Sequence, residues 1–280
     1  MPPGAARLGT GRGRPGGVIT HNLTSTIRDL HRRKARGRRG LTLVEGIRLI
    51  EEAVAAGLTI RGAVYSPALR RTPRGAALHR DLEAAGIPLQ EVSAKLLDEL
   101  ADTETPQGIL AVLEPRSWSL DDVPVTGRAL LVLDGVQDPG NAGTLVRTAH
   151  ALGAAGTIAL QGTADPWSPK ALRGAMGATF RHPVVTTDDA AFLAWARDRG
   201  VRLWAAAADG RPLDLVRREV GGGAREGAIA IIVGNEGAGI RPELAAAAAA
   251  RVAIPLEPGV ESLNVGVAAG ILLYEVQRGR

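Results

Sequence analysis

Residues 254–275 read IPLEPGVESLNVGVAAGILLYE, and the stretch changes character halfway along. Ile254 and Leu256 belong to a buried strand, which Glu257, Pro258 and Gly259 break. A polar group, Glu261, Ser262 and Asn264 around Leu263, then stands at the mouth of an apolar helix predicted from Val265 to Tyr274. That helix holds Gly266 and Gly270, one turn apart, and each costs roughly 1 kcal/mol against alanine in a helix interior. Core-building alone does not ask for a serine and an asparagine beside two such glycines. The junction reads as a place where the chain faces something else.

Upstream, near-continuous apolar strands are predicted at 129–134, 157–160, 182–187, 202–208, 228–234 and 252–256, with helical segments between them. Such strands imply a parallel sheet covered on both faces. Ligands of these sheets bind beyond the carboxyl ends of the strands. Two more strand-to-helix junctions share the polar, glycine-bearing character. One is LDGVQDPGNAGTLVRTAHALG (133–153), with Asn141 expected at an N-cap position and Arg147 on the helix that follows. The other is IIVGNEGAGIRPEL (231–244), which carries Gly234, Glu236, Gly237 and Gly239. Each has a plain structural reading on its own: Asn141, Ser262 and Asn264 as caps, Arg147 as a solvated helix residue, the glycines as turn formers. Three such turns at one end of one sheet would converge on a single crevice.

Before this sheet the alternation is shorter. A helix is predicted over 24–36, strands at 41–44, 60–66, 88–93 and 108–115, and helices at 47–57, 74–86 and 94–101. These make a small α/β domain over 21–115. Residues 116–127, polar and aperiodic, read as a linker to a second domain over 128–280, and residues 1–20 as a disordered basic tail.

Composition narrows the chemistry. Hydrophobic content of 45% with 22% charged residues is that of a soluble globular chain. No apolar run reaches a membrane span and no signal-type segment opens the chain, so a cytoplasmic protein without membrane association is expected. There are no cysteines, and the five histidines are scattered, which argues against thiolate and metal chemistry. Gly234, Gly237 and Gly239 stand in the wrong order for a dinucleotide fingerprint, and neither a P-loop nor a G-x-S-x-G elbow occurs. Residues 1–40 carry ten basic groups against one acid, Asp29, leaving the other 240 residues net acidic by four in a chain of net +5. A basic arm on a mildly acidic body suits a polyanionic partner. A solvated charge run or an organellar transit peptide is the competing reading. Arg32, Arg33, Arg36 and Arg39 are the candidate nucleic-acid contacts.

The segments NAGTLVR (141–147), IIVGNEGAGI (231–240) and 254–275 resemble, in order and spacing, the three motifs of the SpoU–TrmH family of RNA ribose 2′-O-methyltransferases. This family is of the SPOUT class, whose chain forms a trefoil knot. TLVEGIRLIEEAVAAG (42–57) and ETPQGILAVLE (104–114) resemble the substrate-binding domain often fused to these enzymes, which has a ribosomal-protein-like α/β fold. The resemblance implies a parallel-sheet SPOUT domain with a C-terminal trefoil knot, preceded by that small α/β domain. It also implies a homodimer through the knotted domain, with the two helix glycines small because another segment passes close.

The implied cofactor is S-adenosylmethionine, held against backbone groups of Gly234, Ile254 and Leu263. The implied acceptor is a ribose 2′-hydroxyl, with Asn141, Arg147, Glu236, Ser262 and Asn264 gathered around it. A guanidinium keeps its proton near neutral pH, so Arg147 is read as a phosphate fork and stabiliser of the developing alkoxide, not as the base. Ribosomal RNA of the large subunit is preferred over transfer RNA as substrate. A non-catalytic RNA-binding or ribosome-assembly factor and a small-molecule methyltransferase remain as alternatives.

Overall fold

The structure, a computed structural model, describes residues 23–125, 127–219 and 228–278; the tail expected over 1–20 lies outside the described residues. The described chain opens with α1 (Leu23–Leu30) and α2 (Arg33–Arg39), two helices where the sequence suggested one. The guanidinium of Arg36 explains the break. Its Nη1 donates to the carbonyls of Leu30 and His31, both at 3.0 Å, so the end of α1 is satisfied by a side chain instead of by further helix.

There follow β1 (Thr42–Glu45), α3 (Ile47–Ala55), β2 (Ile60–Tyr65), α4 (Pro73–Ala84), β3 (Leu89–Glu91), α5 (Ala94–Leu100) and β4 (Ile109–Leu113). Thr72 and Ser93 cap α4 and α5 by accepting from the N–H groups of Gly75 (3.1 Å) and Leu96 (3.2 Å). The strands form a sheet in the order β1-β4-β2-β3. β4 runs antiparallel to both β1 and β2, while β3 is parallel to β2. The segment read as a linker is tied down: Ser119 and Asp122 form a capping box around Leu120–Asp122, and Val123 is buried against the second sheet.

The second half contains β5 (Leu130–Asp134), α6 (Pro139–Ala151), β6 (Thr157–Ala159), α7 (Pro169–Ala175), β7 (Val184–Thr186) and α8 (Asp189–Asp198). It continues with β8 (Arg202–Pro212), α9 (Leu213–Glu219), β9 (Ile229–Gly234), α10 (Pro242–Ala247), β10 (Ala250–Ala253) and α11 (Val265–Gln277). All six strands are parallel, in the order β10-β8-β9-β5-β6-β7. Successive residues of β5 and β9 point to opposite faces. Leu131, Leu133, Ile231 and Val233 meet α6 and α11 in one core, while Leu130, Val132, Ala230 and Ile232 meet α8 in another. Leu272 and Leu273, both fully buried, anchor α11, and each is worth about 1.5–3 kcal/mol of transfer free energy.

The two halves share a core. Leu172 and Phe180 join the cluster built on Val44 and Leu113 of the first sheet and Ile50 of α3. Polar ties flank it: Arg36 pairs with Asp165 (2.7 Å) and Arg181 with Glu52 (2.7 Å). Among the described residues no helix is long and apolar enough to cross a membrane.

Candidate active site

From β5 the sheet grows toward β6 and β7 on one side and toward β9, β8 and β10 on the other. The strand order therefore reverses between β5 and β9, whose ends Asp134 and Gly234 are paired neighbours. That is where open α/β sheets bind ligands.

The loop after β9 is shaped by backbone crossing. Asn235 and Gly239 exchange N–H···O bonds (2.9 and 3.0 Å), so the loop closes on itself. A Cβ on Gly234 would collide with the backbone of Gly239 and Ile240, and only glycine fits. The Asn235 side chain accepts from the N–H groups of Gly237 (2.9 Å) and Ala238 (2.8 Å) and donates to Gly135 O (2.9 Å). It welds this loop to the one after β5. Below it, Asp134 is buried and accepts from the N–H (2.7 Å) and Nε (2.6 Å) of Arg241, whose other nitrogens fork onto Asp189. This charge-assisted geometry fixes the start of α10.

Three loops then meet through side chains. Asn264 Nδ2 donates to Asn141 Oδ1 (3.3 Å), and Asn141 Nδ2 donates to Glu236 Oε1 (2.9 Å). Asn264 also caps α11, accepting from the N–H groups of Gly266 (2.9 Å) and Val267 (3.4 Å). Burial pushes the Glu236 carboxyl up. The hydrogen bonds from the Asn141 side chain and from backbone N–H groups, including that of Gln137, outweigh this and hold it below the ordinary range.

Asn141 is not the cap of α6. Asp138 is: its carboxylate accepts from Asn141 N (2.8 Å), and Pro139 follows at the first helical position. The Asp-Pro pair was the signal that places the cap three residues earlier. Lys170 (2.7 Å), with help from the Asn141 N–H, holds the Asp138 carboxyl below its usual range.

A cavity of about 930 Å³ opens beside these loops, and Gly234, Glu236, Ile254, Ser262, Leu263 and Asn264 all line it. Residues 254–264 form neither helix nor strand, so most of their main-chain groups lie outside any ladder. Ala206–Ala208 form another wall, in a bulge of β8 opened by a register shift against β10. Size, glycine-lined backbone and a mixed apolar and polar wall suit a nucleoside cofactor such as S-adenosylmethionine.

Arg147 is not among the residues lining this cavity. It stands exposed on α6, past Asn141, without an ion-pair or hydrogen-bond partner among the described residues. α6 and α11 cross beside it. A Cβ on Gly266 would lie 3.1 Å from Thr144 Cγ2, too tight, whereas one on Gly270 would lie 3.4 Å from Thr148 Cγ2, an ordinary contact. The packing reason expected for both glycines holds for Gly266 and is weak for Gly270.

The basic arm is more committed than its charge suggests. Arg32, Arg38 and Arg39 all bind Asp29, and Arg39 foremost holds that carboxyl below its usual range. Arg33 donates to Thr163 O (3.3 Å). Arg36 is buried, saturated by Asp165 and two carbonyls, which removes it from the candidate phosphate contacts. Asn235, Arg241 and Asp138 were not singled out from the sequence.

Comparison with known proteins gives the family. A profile of the SpoU rRNA Methylase family matches residues 128–274, and one of the MRM3-like substrate binding domain matches residues 25–111. The 23S rRNA (guanosine(2553)-2′-O)-methyltransferase RlmP of Bacillus subtilis is 34% identical over 249 residues, covering 89% of this chain and 93% of its own. The 23S rRNA (adenosine(1067)-2′-O)-methyltransferase of Streptomyces laurentii is 32% identical, covering 84% of this chain and 85% of its own. The AdoMet-bound rRNA methyltransferase of Sinorhizobium meliloti superposes with a TM-score of 0.79 at 31% identity, covering 93% of this chain and 95% of that one. With a cavity walled by the loops that follow β9 and β10, and with these relatives, the chain belongs to the SpoU family, the S-adenosylmethionine-dependent RNA 2′-O-methyltransferases.

Proposed function

We propose that this protein methylates a ribose 2′-hydroxyl in 23S ribosomal RNA. The observation that carries the reading is the chain Glu236–Asn141–Asn264, which ties the loops after β5, β9 and β10 together at the mouth of a nucleoside-sized cavity. The 23S target rests on the relatives, whose own substrates are 23S rRNA.

When bound, S-adenosylmethionine supplies an electrophilic methyl on sulfonium sulfur. Main-chain groups of Gly234, Ile254 and Leu263 would hold it. Glu236, ionised and a weak base because its pKa is lowered, orients the Asn141 amide. Ser262, exposed at the cavity wall, would bond the incoming ribose. Arg147, unpaired on α6, would clamp a phosphate flanking the acceptor and offset the charge that develops on the 2′-oxygen. Arg32, Arg33 and Arg39 would meet phosphates farther along the RNA.

We further infer a homodimer. Val267, Ile271 and Tyr274 lie at i, i+4 and i+7 on α11 and are 52%, 39% and 54% exposed, an apolar stripe suited to a second copy. A trefoil knot is also inferred. β10 is the sheet edge, yet α11 packs centrally on α6 and β9, so residues 254–264 travel back across the strand ends. A cytoplasmic site of action follows from the proposed substrate. The test is to map ribose methylations on ribosomal and transfer RNA from cells with and without the gene. Loss of one 23S methylation is expected; loss only from transfer RNA would move the target, and no loss would sink the proposal.

A further inference from the structure

A second cleft, of about 300 Å³, opens where the two halves of the chain meet, away from the cofactor cavity. Arg48, Leu49, Thr105 and Gln107 line it from one side, and Arg173 and Met176 from the end of α7 on the other. Its carboxylates are spoken for. Glu45 is buried, accepts from Asp102 N (3.0 Å) and the Thr103 hydroxyl, and lies 3.7 Å from Arg173; Glu52 pairs with Arg181.

The surplus is in donors. Arg48 is exposed and has no partner among the described residues. Arg173 Nη1 faces the Glu45 carboxylate at 3.7 Å but is buried without a hydrogen bond, while Nη2 binds Asp102 (2.6 Å). Gln107 spends its Oε1 on Ile47 N (2.9 Å), which leaves its amide N–H groups free. Facing them are the apolar Leu49 and Met176. Met176 is 40% exposed and sits at φ +50°, a left-handed backbone that disfavours any residue with a Cβ.

The cleft wall is also the support of the reaction helix. α7 presses on α6 so closely that a Cβ on Gly143 would collide with Ala171 O, and one on Gly174 would lie 3.0 Å from Gly140 O. α6 carries Asn141 and Arg147. Donor-rich edges, an apolar platform and room for one planar group are what an unstacked base requires. An uncompensated arginine at the mouth suits its phosphate.

We infer that this cleft receives one unpaired nucleobase of the RNA substrate, other than that of the methylated nucleotide, held by an acceptor-bearing edge against Gln107 and Arg173 and stacked on Met176. The inference rests on the RNA reading above.

Met1 and Met176 are the chain's two methionines, so protein labelled with [methyl-¹³C]methionine carries one internal reporter. Titration with GMP, UMP, AMP and CMP should move the Met176 methyl signal saturably, most with GMP and UMP, whose edges lead with carbonyl oxygens. Gln107→Glu, which keeps the acceptor for Ile47 N and deletes the donors, should abolish the shift. On transcribed 23S rRNA, Gln107→Glu and Arg48→Gln should raise KM about tenfold with the saturated rate unchanged. Met176→Leu should restore what Met176→Ala loses. A still Met176 signal with all four nucleotides, together with unchanged KM in Gln107→Glu and Arg48→Gln, overturns the cleft reading while the methyltransferase reading stands. Wild-type protein that methylates no RNA would sink both.

Discussion

Asn141 donates to the Glu236 carboxylate at 2.9 Å across 95 positions of sequence, and its own Oδ1 accepts from Asn264 at 3.3 Å. One amide thus joins three loops, and two of its members also do local work: Asn264 caps α11, and the Asn141 N–H donates to the Asp138 carboxylate that caps α6. The polar chain lies at the surface of the site, and it holds the three loops together only while every member keeps its partner.

The first prediction follows from that chain. The Asn141 side chain is the leading group holding the Glu236 pKa down against burial. In Asn141→Ala burial acts without that bond to oppose it, so the Glu236 pKa rises. Titration of the Glu236 carboxyl carbon by ¹³C NMR, in wild type and in Asn141→Ala, checks it. An unchanged Glu236 titration would mean that the Asn141 side chain does not hold this carboxylate.

Replacing Arg147 tests the clamp. A lysine cannot reproduce two parallel hydrogen bonds, so Arg147→Lys should lose on the order of 10²-fold in rate, the scale of one preorganised oxyanion donor. S-adenosylmethionine affinity should hold, because Arg147 stands outside the cavity. A lysine variant near wild-type rate with its pH profile shifted downward would favour proton abstraction by this residue instead.

The arm separates into two behaviours. Neutralising Arg32, Arg33 and Arg39 together should lower the log–log salt slope of RNA binding by roughly 2–3 units, as expected for up to three lost phosphate contacts, and leave the melting temperature close to wild type. Arg36→Ala should do the reverse. It strands Asp165 and two helix-end carbonyls, and a buried pair broken on one side costs about 3–5 kcal/mol. Filter binding across a salt series, beside thermal melts, reads both.

Acid should weaken the fold through His182. The ring is buried against Thr157 (2.9 Å), and burial, with His150 nearby, lowers its pKa from 6.5 to about 4. The unfolded chain binds the proton first, so this contribution is whole above pH 6.5 and is lost as pH falls toward 4. The full loss is about 3 kcal/mol, with about 2 of it gone by pH 5. Urea unfolding of wild type and His182→Gln at pH 7.5 and 5 should show the wild type losing more. Equal losses would place the acid sensitivity elsewhere.

The six strands of the second sheet were legible because their apolar runs are nearly unbroken; Leu130–Asp134 and Ile229–Gly234 need both faces covered to exist. The helix breaks at Gly57 and Gly86 were legible for the same local reason, both having φ +70°. The Asn141 cap was misplaced because Asp138 and Asn141 are equally good caps by type, and the proline after Asp138 was the signal that decides between them. Arg36 was grouped with its neighbours because charge pattern carries no direction; its partner Asp165 lies 129 positions away.

By itself the amino-acid sequence determined the strands, the helices and the kind of residue at each strand end, since these depend on period, on propensity and on backbone conformations that neighbours impose. Tertiary structure alone decided which of those residues meet. Joining Glu236, Asn141 and Asn264 requires β5 and β9 to pair side by side and α11 to return from the sheet edge onto α6. That choice is made by burying Leu272, Leu273 and Val276 beside Ile231 and Val233, a balance of contacts between segments far apart in the chain that no local stretch encodes.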